Sequence, residues 1–261
     1  MGDAFVSNKP DSYRQQFTEP AKARRYDAVD IGEGSYSDLL WEIEKKQLTA
    51  VVDELRSTHE RIDLLDFATG TGRIIGFLDD QVDSATGIDV SAAMVEVARE
   101  KLPQARMICK DITAADDEIE DRYDLITAFR FALNAEPSLC RAALKALAAR
   151  LRDESSVLVF NNHGNPFSHK LPLWPYHAVR RLGRGYITEG NYLTNHRARR
   201  FAALAGLTID RVLGCGLLSA KSLRILGYDR ANALEHTLAH SRLLRPFAVN
   251  QMYVARLSAP R

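Results

Sequence analysis

Cysteine is scarce in this sequence, with only Cys109, Cys140 and Cys215 among 261 residues. An odd and widely spaced set of this kind supports neither a disulfide framework nor the paired spacing of a structural zinc site. Because their neighbours are largely apolar, we expect all three to be buried thiols in a reducing compartment. No metal site is predicted from the histidines either, since no carboxylates cluster with them.

Two further features are missing. No apolar run approaches membrane-spanning length, and the N-terminus lacks the apolar core of a signal peptide, so neither a membrane span nor a leader is predicted. Charge of one sign is not in excess, because 35 basic and 34 acidic residues give a net charge of +1. That balance argues against sequence-independent nucleic-acid binding. We therefore expect a cytoplasmic protein that acts on a small molecule, with homodimerisation left open.

The most informative segment is a glycine-rich turn that follows an apolar run. Residues 62–65 read as a strand, which ends at Asp66 and leads through Gly70 and Gly72 into a predicted helix. Glycines allow a ligand to approach the backbone, and the N–H groups at a helix N-terminus attract its anionic part. Asp66 would repel a pyrophosphate but attract an ammonium. A zwitterionic amino acid therefore fits this turn.

The dinucleotide-binding fingerprint is the other explanation for such a turn. That fingerprint requires a third glycine three residues after the second. Here Ile75 occupies that position, and Gly76 comes one residue late. The spacing therefore argues against a nicotinamide or flavin enzyme.

Further strand endings follow in order. A second strand ends at Asp89, one strand–helix–strand unit beyond Asp66, and Ser91 is the expected N-cap of the next helix. An acid at this place can accept hydrogen bonds from ribose hydroxyls. A third strand is predicted over 105–112 and ends in Lys-Asp-Ile, and residues 123–130 read as the fourth strand and the loop that follows it. The alternation of strands and helices predicts parallel β-α units.

With these motifs the chain resembles the class I S-adenosylmethionine-dependent methyltransferases, whose first motif is D-x-x-x-G-x-G. The resemblance implies an α/β fold: a doubly wound, Rossmann-like, mostly parallel seven-stranded sheet with an antiparallel last strand. It implies that Val90 packs on the adenine, that Asp111 binds the adenine amino group, and that the Ile112 N–H meets a ring nitrogen. The implied S-adenosylmethionine-binding set is Asp66, Ala68, Gly70, Gly72, Arg73, Asp89, Val90, Met94, Asp111, Ile112 and Phe129. Arg73 either pairs with the ligand carboxylate or points to water.

The domain organisation is predicted from the same patterns. Residues 1–58 are expected to form an N-terminal arm and helical lid, and 59–261 the cofactor-binding domain. Two stretches interrupt the regular alternation, at 161–193 and 218–246, and long connections of this kind are usually functional. We expect both to be substrate-binding insertions.

Catalysis by such an enzyme depends on the acceptor. An amine can attack an activated methyl group with its own lone pair, whereas a hydroxyl benefits from a general base, which is most often histidine. His163 follows a predicted strand at the sheet edge where α/β proteins bind ligands, and is the candidate base. The alternative is that it only closes a turn.

The predicted activity is methyl transfer to a hydroxyl of a small polar, sugar-containing metabolite. N-methylation of an amino sugar or another amine is the first alternative, and a non-catalytic S-adenosylmethionine-binding regulator is the second. The residues expected to contact the substrate are Tyr26, Tyr36, Arg130, Asn162 and Trp174.

Overall fold

A computed structural model describes residues 34–114, 120–173, 175, 179 and 192–259. Within these residues, strands and helices alternate as the sequence predicts. The strands are β1 Asp63–Phe67, β2 Ser84–Asp89, β3 Arg106–Cys109, β4 Leu125–Ala128, β5 Val157–Asn162, β6 Leu207–Cys215 and β7 Asn250–Leu257. The helices are α1 Tyr36–Arg56, α2 Arg73–Leu78, α3 Ala92–Lys101, α4 Pro137–Ala148, α5 Asn195–Leu204, α6 Ala220–Leu226 and α7 Tyr228–Ala239.

The seven strands form one sheet in the order β3-β2-β1-β4-β5-β7-β6. Strands β1 to β5 are mutually parallel, and β7 runs antiparallel to both β5 and β6. The predicted doubly wound sheet with an antiparallel last strand is therefore confirmed. Its strand order changes direction at β1 and β4, which is where open α/β sheets bind ligands beyond the carboxyl ends of their strands.

The sheet is buried on both faces. The central strands β4 and β5 have no exposed residue, as expected for parallel strands covered by helices on each side. On one face α4 and α5 pack against apolar side chains of β1, β4 and β5. On the other face lie α1, α2 and α3. At ~25 cal/mol per Å² of apolar surface, this two-sided burial is the main source of stability.

Helix α1 is an integral layer of this core. Ser35 caps its N-terminus by accepting a hydrogen bond from the Asp38 N–H at 3.1 Å. Its apolar stripe packs on the sheet through Leu48, Val51 and Leu55. The predicted arm and lid over 1–58 stays a prediction, because 1–33 lie outside the described residues, but α1 does not form a separate unit.

The segment 218–246 contains two helices, α6 and α7. Glu235 of α7 is fully buried and accepts hydrogen bonds from the N–H groups of Gly216, Leu217 and Leu218 at 2.7–2.9 Å. These bonds attach α7 to the end of β6. The two helices therefore pack beside α1 and the end of β6.

The connection from β5 to β6 passes across β7. Because β5 and β6 both run antiparallel to β7, the chain leaves the carboxyl end of β5 and must return to the opposite end of the sheet before β6. Helix α5 makes that return. The residues from 163 to the start of α5 therefore begin at the edge of the sheet where ligands bind.

One expectation about cysteine is wrong. Cys140 and Cys215 are buried, but Cys109 is exposed. It ends β3, which is the edge strand of the sheet, so only one side of it is covered. In the part of the chain that the structure describes, no helix combines the length and apolarity needed to cross a bilayer.

Candidate active site

The turn between β1 and α2 has an unusual backbone. Ala68, Gly70 and Gly72 all have positive φ, at +55°, +56° and +85°. A Cβ on Gly70 would meet no atom within 4 Å, whereas a Cβ on Gly72 would lie 3.0 Å from a methyl group of Leu102. The Gly70 side of the turn is therefore open to a ligand, and the Gly72 side is packed against the protein.

Asp66 lies beneath this turn and is only 1% exposed. Its two carboxylate oxygens accept hydrogen bonds from the hydroxyls of Thr69 and Thr127, each at 2.7 Å. Burial raises the pKa of Asp66 to about 6, and the neighbouring Asp89 adds to the rise. The carboxylate thus supports the turn from below, and its predicted contact with an ammonium stays a prediction.

Asp89 connects the turn to the next strand. One of its oxygens accepts from the Gly70 N–H at 2.9 Å, and the other accepts from the Ser91 N–H at 2.9 Å. Burial raises the pKa of Asp89 as well. The adjacent Val90 is 39% exposed, which is unusual for a valine beside a buried strand. The predicted ribose and adenine positions therefore lie next to the open turn.

The remaining predicted cofactor residues differ in exposure. Asp111 is half-buried and accepts hydrogen bonds from the N–H and hydroxyl of Thr113 at 2.9 and 2.7 Å. Ile112, Met94 and Phe129 are almost fully buried, at 2%, 4% and 5% exposure. Their side chains belong to the protein interior, so any contact they make with a ligand is confined to a small exposed part or to the backbone.

The end of β4 carries a second strained residue. Arg130 has φ +54°, which costs energy for a residue with a side chain. Its N–H donates to Asn161 Oδ1 at 2.6 Å, and its carbonyl accepts from Asn134 Nδ2 at 2.6 Å. Ala68 and Arg130 thus place two strained backbones at the ends of neighbouring parallel strands. Such strain concentrates at functional sites.

His163 follows β5 at the same edge. Its Nδ1 is buried and has no hydrogen-bond partner among the residues that the structure describes. Burial, and then the charges of Arg130, Lys170 and Arg73, lower the pKa of His163 to about 3. The imidazole is therefore neutral at pH 7, as a general base must be before it accepts a proton. Its low pKa also makes it a weak base in this conformation.

Two predicted substrate contacts have other partners. The Tyr36 hydroxyl donates to the Leu218 carbonyl at 2.6 Å, which joins α1 to the 218–246 segment. Asn162 is fully buried, and its amide group bonds the Leu193 carbonyl at 2.6 Å and the Gly164 N–H at 3.0 Å. This geometry gives Asn162 a structural role, and its predicted contact with the substrate stays a prediction.

Of the other three predicted substrate contacts, Arg130 lies at the end of β4, and Tyr26 and Trp174 lie outside the described residues. Sequence reasoning also missed two residues that the structure brings into the site. Thr69 and Thr127 provide the hydroxyls that hold Asp66. Thr127 pairs with Asp66 across β4 and β1, so aligning the predicted strand ends would have found it.

Comparison with known proteins identifies the domain. A family model described as a methyltransferase domain matches residues 64–154, which contain the turn, Asp66, Asp89 and Arg130. Residues 64–154 of this chain therefore match a methyltransferase domain.

Curated relatives of this chain are named as malonyl-[acyl-carrier protein] O-methyltransferases. A malonyl-[acyl-carrier protein] O-methyltransferase from Anoxybacillus flavithermus is 27% identical over 60% of this chain and 63% of its own length. One from Priestia megaterium is 29% identical over 62% of this chain and 55% of its own length. The chain thus spans less than two thirds of the length of these relatives.

Solved structures share the methyltransferase fold across most of the chain. Magnesium protoporphyrin IX methyltransferase from Synechocystis, crystallised with bound SAH, aligns with a TM-score of 0.59 and 16% identity over 94% of this chain and 97% of that one. An amino pentose methyltransferase from Micromonospora echinaspora, with bound SAM, gives a TM-score of 0.58 and 18% identity over 90% and 97%.

The cofactor of this methyltransferase class is S-adenosylmethionine, and the residues present fit it. The open side of Gly70 leaves room for a ligand against the backbone. Within the described part of the chain, Asp66 and Asp89 have only hydroxyls and N–H groups as hydrogen-bonding partners. Burial raises the pKa of both, so a cationic ligand is favoured beside them. S-adenosylmethionine carries both an ammonium and a sulfonium.

Proposed function

We propose that this chain transfers a methyl group from S-adenosylmethionine to an oxygen atom of a small polar metabolite. The observation that carries the proposal is the division of charge along the carboxyl edge of the sheet. Asp66 and Asp89 lie at the ends of β1 and β2, whereas Arg130 and Lys170 lie near His163 beyond β4 and β5. The acidic half suits the cationic cofactor, and the basic half suits an oxygen acceptor.

Each half has a defined task in this proposal. Asp89 would accept hydrogen bonds from the ribose hydroxyls, Val90 would pack on the adenine, and the turn at Gly70 would hold the amino-acid part. The bound cofactor supplies a methyl group that is already activated toward displacement. The protein then contributes mainly by placing the acceptor oxygen in line with that group.

The favoured acceptor is a hydroxyl, with a sugar-containing metabolite as the best candidate. The charges of Arg73, Arg130 and Lys170 reach His163 and would repel a protonated amine, which argues against the alternative of N-methylation. The unpartnered Nδ1 of His163 can accept a hydrogen bond from such a hydroxyl. His163 would then orient the hydroxyl and take its proton as the new bond forms.

A carboxyl oxygen is the second candidate acceptor. A carboxylate is already ionised at neutral pH and needs no general base, which agrees with the low pKa of His163. The cationic surroundings of His163 would also favour it. The curated relatives are named as O-methyltransferases of a malonyl carrier, which supports oxygen as the acceptor without selecting between the two groups.

The test combines binding and turnover. Calorimetry with S-adenosylhomocysteine first measures whether the cofactor site exists, and a methyl-transfer assay then uses panels of sugars, carboxylates and amines. Transfer to hydroxyls that falls by ~10²-fold or more in His163→Ala, with cofactor affinity retained, supports the favoured acceptor. Transfer to carboxylates without that loss selects the second.

Three outcomes would contradict the proposal. Transfer to amines alone would make the chain an N-methyltransferase. Cofactor binding without transfer to any acceptor in the panels would favour the regulatory alternative, in which the pocket senses S-adenosylmethionine. Absence of cofactor binding would remove the proposal altogether.

A further inference from the structure

A buried polar chain links α1 to the strained residue at the end of β4. Glu44 of α1 is 3% exposed, and its Oε1 accepts hydrogen bonds from Asn250 Nδ2 at 2.7 Å and Asn161 Nδ2 at 3.2 Å. Asn161 is 1% exposed, and its Oδ1 accepts from the Arg130 N–H at 2.6 Å. The chain therefore joins three elements that are distant in sequence.

The carboxylate determines the direction of every bond in this chain. A carboxylate can only accept hydrogen bonds, so both asparagine amides must turn their NH₂ groups toward Glu44. This leaves Asn161 Oδ1 facing the Arg130 N–H. Asn161 Nδ2 also donates to Asn250 Oδ1, but over a longer distance of 3.4 Å. With no acceptor at position 44, that long bond alone would hold the Asn161 amide. The amide could then rotate and place its NH₂ against the Arg130 N–H, where two donors would oppose each other.

The Arg130 backbone needs such an acceptor. Its φ of +54° is unfavourable for a residue with a side chain, and such conformations persist only where the surroundings fix them. The conformation determines where Arg130 lies relative to His163, because both follow neighbouring parallel strands. A buried donor left without a partner would make it less stable still.

We propose that Glu44 is a positioning residue that acts through Asn161 to hold Arg130 in the basic half of the site. This inference rests on the proposed function for its catalytic consequence, but its structural part can be tested without turnover. Helix α1 would thus contribute to the transfer site through a buried hydrogen-bond relay and not by touching the substrate.

The first test measures the hydrogen-exchange rate of the Arg130 amide by NMR on the whole chain. Glu44→Met removes the acceptor at similar size and is expected to speed this exchange by at least about tenfold, with the amides of Leu65 and Val159 unchanged. Glu44→Gln retains an acceptor oxygen and is expected to preserve the wild-type rate. Asn134→Ala is the matched control, because it releases the carbonyl of Arg130 and leaves the Glu44 relay intact.

The inference is overturned if Glu44→Met leaves Arg130 exchange unchanged, or if exchange of the central strands rises equally, since the effect would then be general destabilisation. Should Glu44→Met fail to fold, Glu44→Leu removes the same acceptor with a shorter side chain, and its Arg130 exchange decides in the same way.

Binding and turnover then separate this inference from the proposed function. S-adenosylhomocysteine is expected to bind Glu44→Met within about threefold of wild type, because Asp89 and the turn at Gly70 are untouched. With any acceptor that the wild type methylates, kcat is expected to fall at least about tenfold at unchanged cofactor KM, and Glu44→Gln to restore it. An unchanged kcat would overturn the catalytic part. If wild type does not bind S-adenosylhomocysteine, the proposed function fails while the exchange experiment still decides the relay.

Discussion

The aspartates at the two ends of the parallel sheet have different partners, and their pKa values shift in opposite directions. At the amino end, Arg152 forms ion pairs with Asp63 at 2.6 Å and Asp124 at 2.7 Å. Burial opposes ionisation of Asp63, but its hydrogen bonds and the nearby arginines outweigh burial and lower its pKa. At the carboxyl end, burial prevails and raises the pKa of Asp66 and Asp89.

The difference separates stability from binding. Charges at the amino end are neutralised by the protein itself, so that end is complete without a ligand. Charges at the carboxyl end are held by hydroxyls and backbone N–H groups, which orient the carboxylates without neutralising them. A cationic ligand would supply the positive charge that these carboxylates lack. Carboxylates with perturbed pKa values are typical of functional sites.

The largest expected effect concerns pH. For Asp66 the folded pKa of about 6 exceeds its ordinary 3.8, so the folded state binds more protons than the unfolded state between these values. Its contribution to stability therefore falls by about 3 kcal/mol as pH rises from 4 to 7. Asp66→Asn is expected to remove this fall, as measured by urea unfolding across that range.

Asp63 provides the opposing comparison for the same experiment. Its folded pKa is lowered, so its contribution to stability is present above its ordinary pKa and is lost as pH falls through the folded value. Asp63→Asn should therefore lose more stability at pH 7 than at pH 4. For each variant, the free energy of unfolding is compared with that of wild type at pH 4 and pH 7. If this difference shifted in the same direction with pH for both variants, the distinction between the two ends would be contradicted.

Cofactor affinity should depend on the carboxyl end alone. Asp89→Asn is expected to weaken S-adenosylhomocysteine binding by about a hundredfold, because charge-assisted hydrogen bonds contribute ~1.5–3 kcal/mol each. Asp153→Asn is the matched control, since Asp153 also accepts from backbone N–H groups, at Ser155 and Ser156, but lies before β5 at the amino end. Calorimetry on both variants makes the comparison, and equal losses would reject the assignment of Asp89.

Arg152 is expected to contribute to the stability of the fold but not to cofactor binding. Arg152→Met leaves Asp124, whose side chain is 4% exposed, without its ion pair. We expect a loss of about 2 kcal/mol in the free energy of unfolding, reduced from the value for a fully buried pair because Arg152 is itself partly exposed. Cofactor affinity should be unchanged. Arg61→Met, which removes a more exposed partner of Asp63, should cost less than ~1 kcal/mol.

The smallest expected effect compares two glycines. Gly70 and Gly206 both have positive φ, and a Cβ on either would meet no atom within 4 Å. Alanine at either position should therefore cost a similar ~1 kcal/mol in unfolding free energy. Only Gly70→Ala should weaken S-adenosylhomocysteine binding, by about tenfold, because its methyl group enters the open side of the turn. Equal binding by both variants would place the ligand elsewhere.

Much of this arrangement could be predicted from the sequence because it depends on local order. The turn after Asp66 and the strand ending at Asp89 need only a strand, an acid and a helix in succession. The sheet topology followed from the alternation of these units and the resemblance they carry. The edge position of Cys109 did not, because its neighbours in the sequence give no sign that β3 has a strand on one side only.

The side-chain partners across the sheet could not be predicted from the sequence, for a different reason. Asn162 has a polar side chain that could contact a substrate, yet its amide forms hydrogen bonds with the Leu193 carbonyl and the Gly164 N–H. Glu44 reads as one more charged residue on an amphipathic helix, and its burial depends on two asparagines over a hundred residues away in the chain. Such pairings are decided by packing in three dimensions.

The crossing of β7 by the β5–β6 connection has a consequence for how this scaffold can vary. The described residues between β5 and α5 leave the sheet beside His163 and add no strand to it, so the length of this connection can change without shifting β1, β2 or the turn at Gly70. Exchanging this stretch between homologous chains would be a direct route to new acceptor preferences, with the methyl-donor pocket inherited intact.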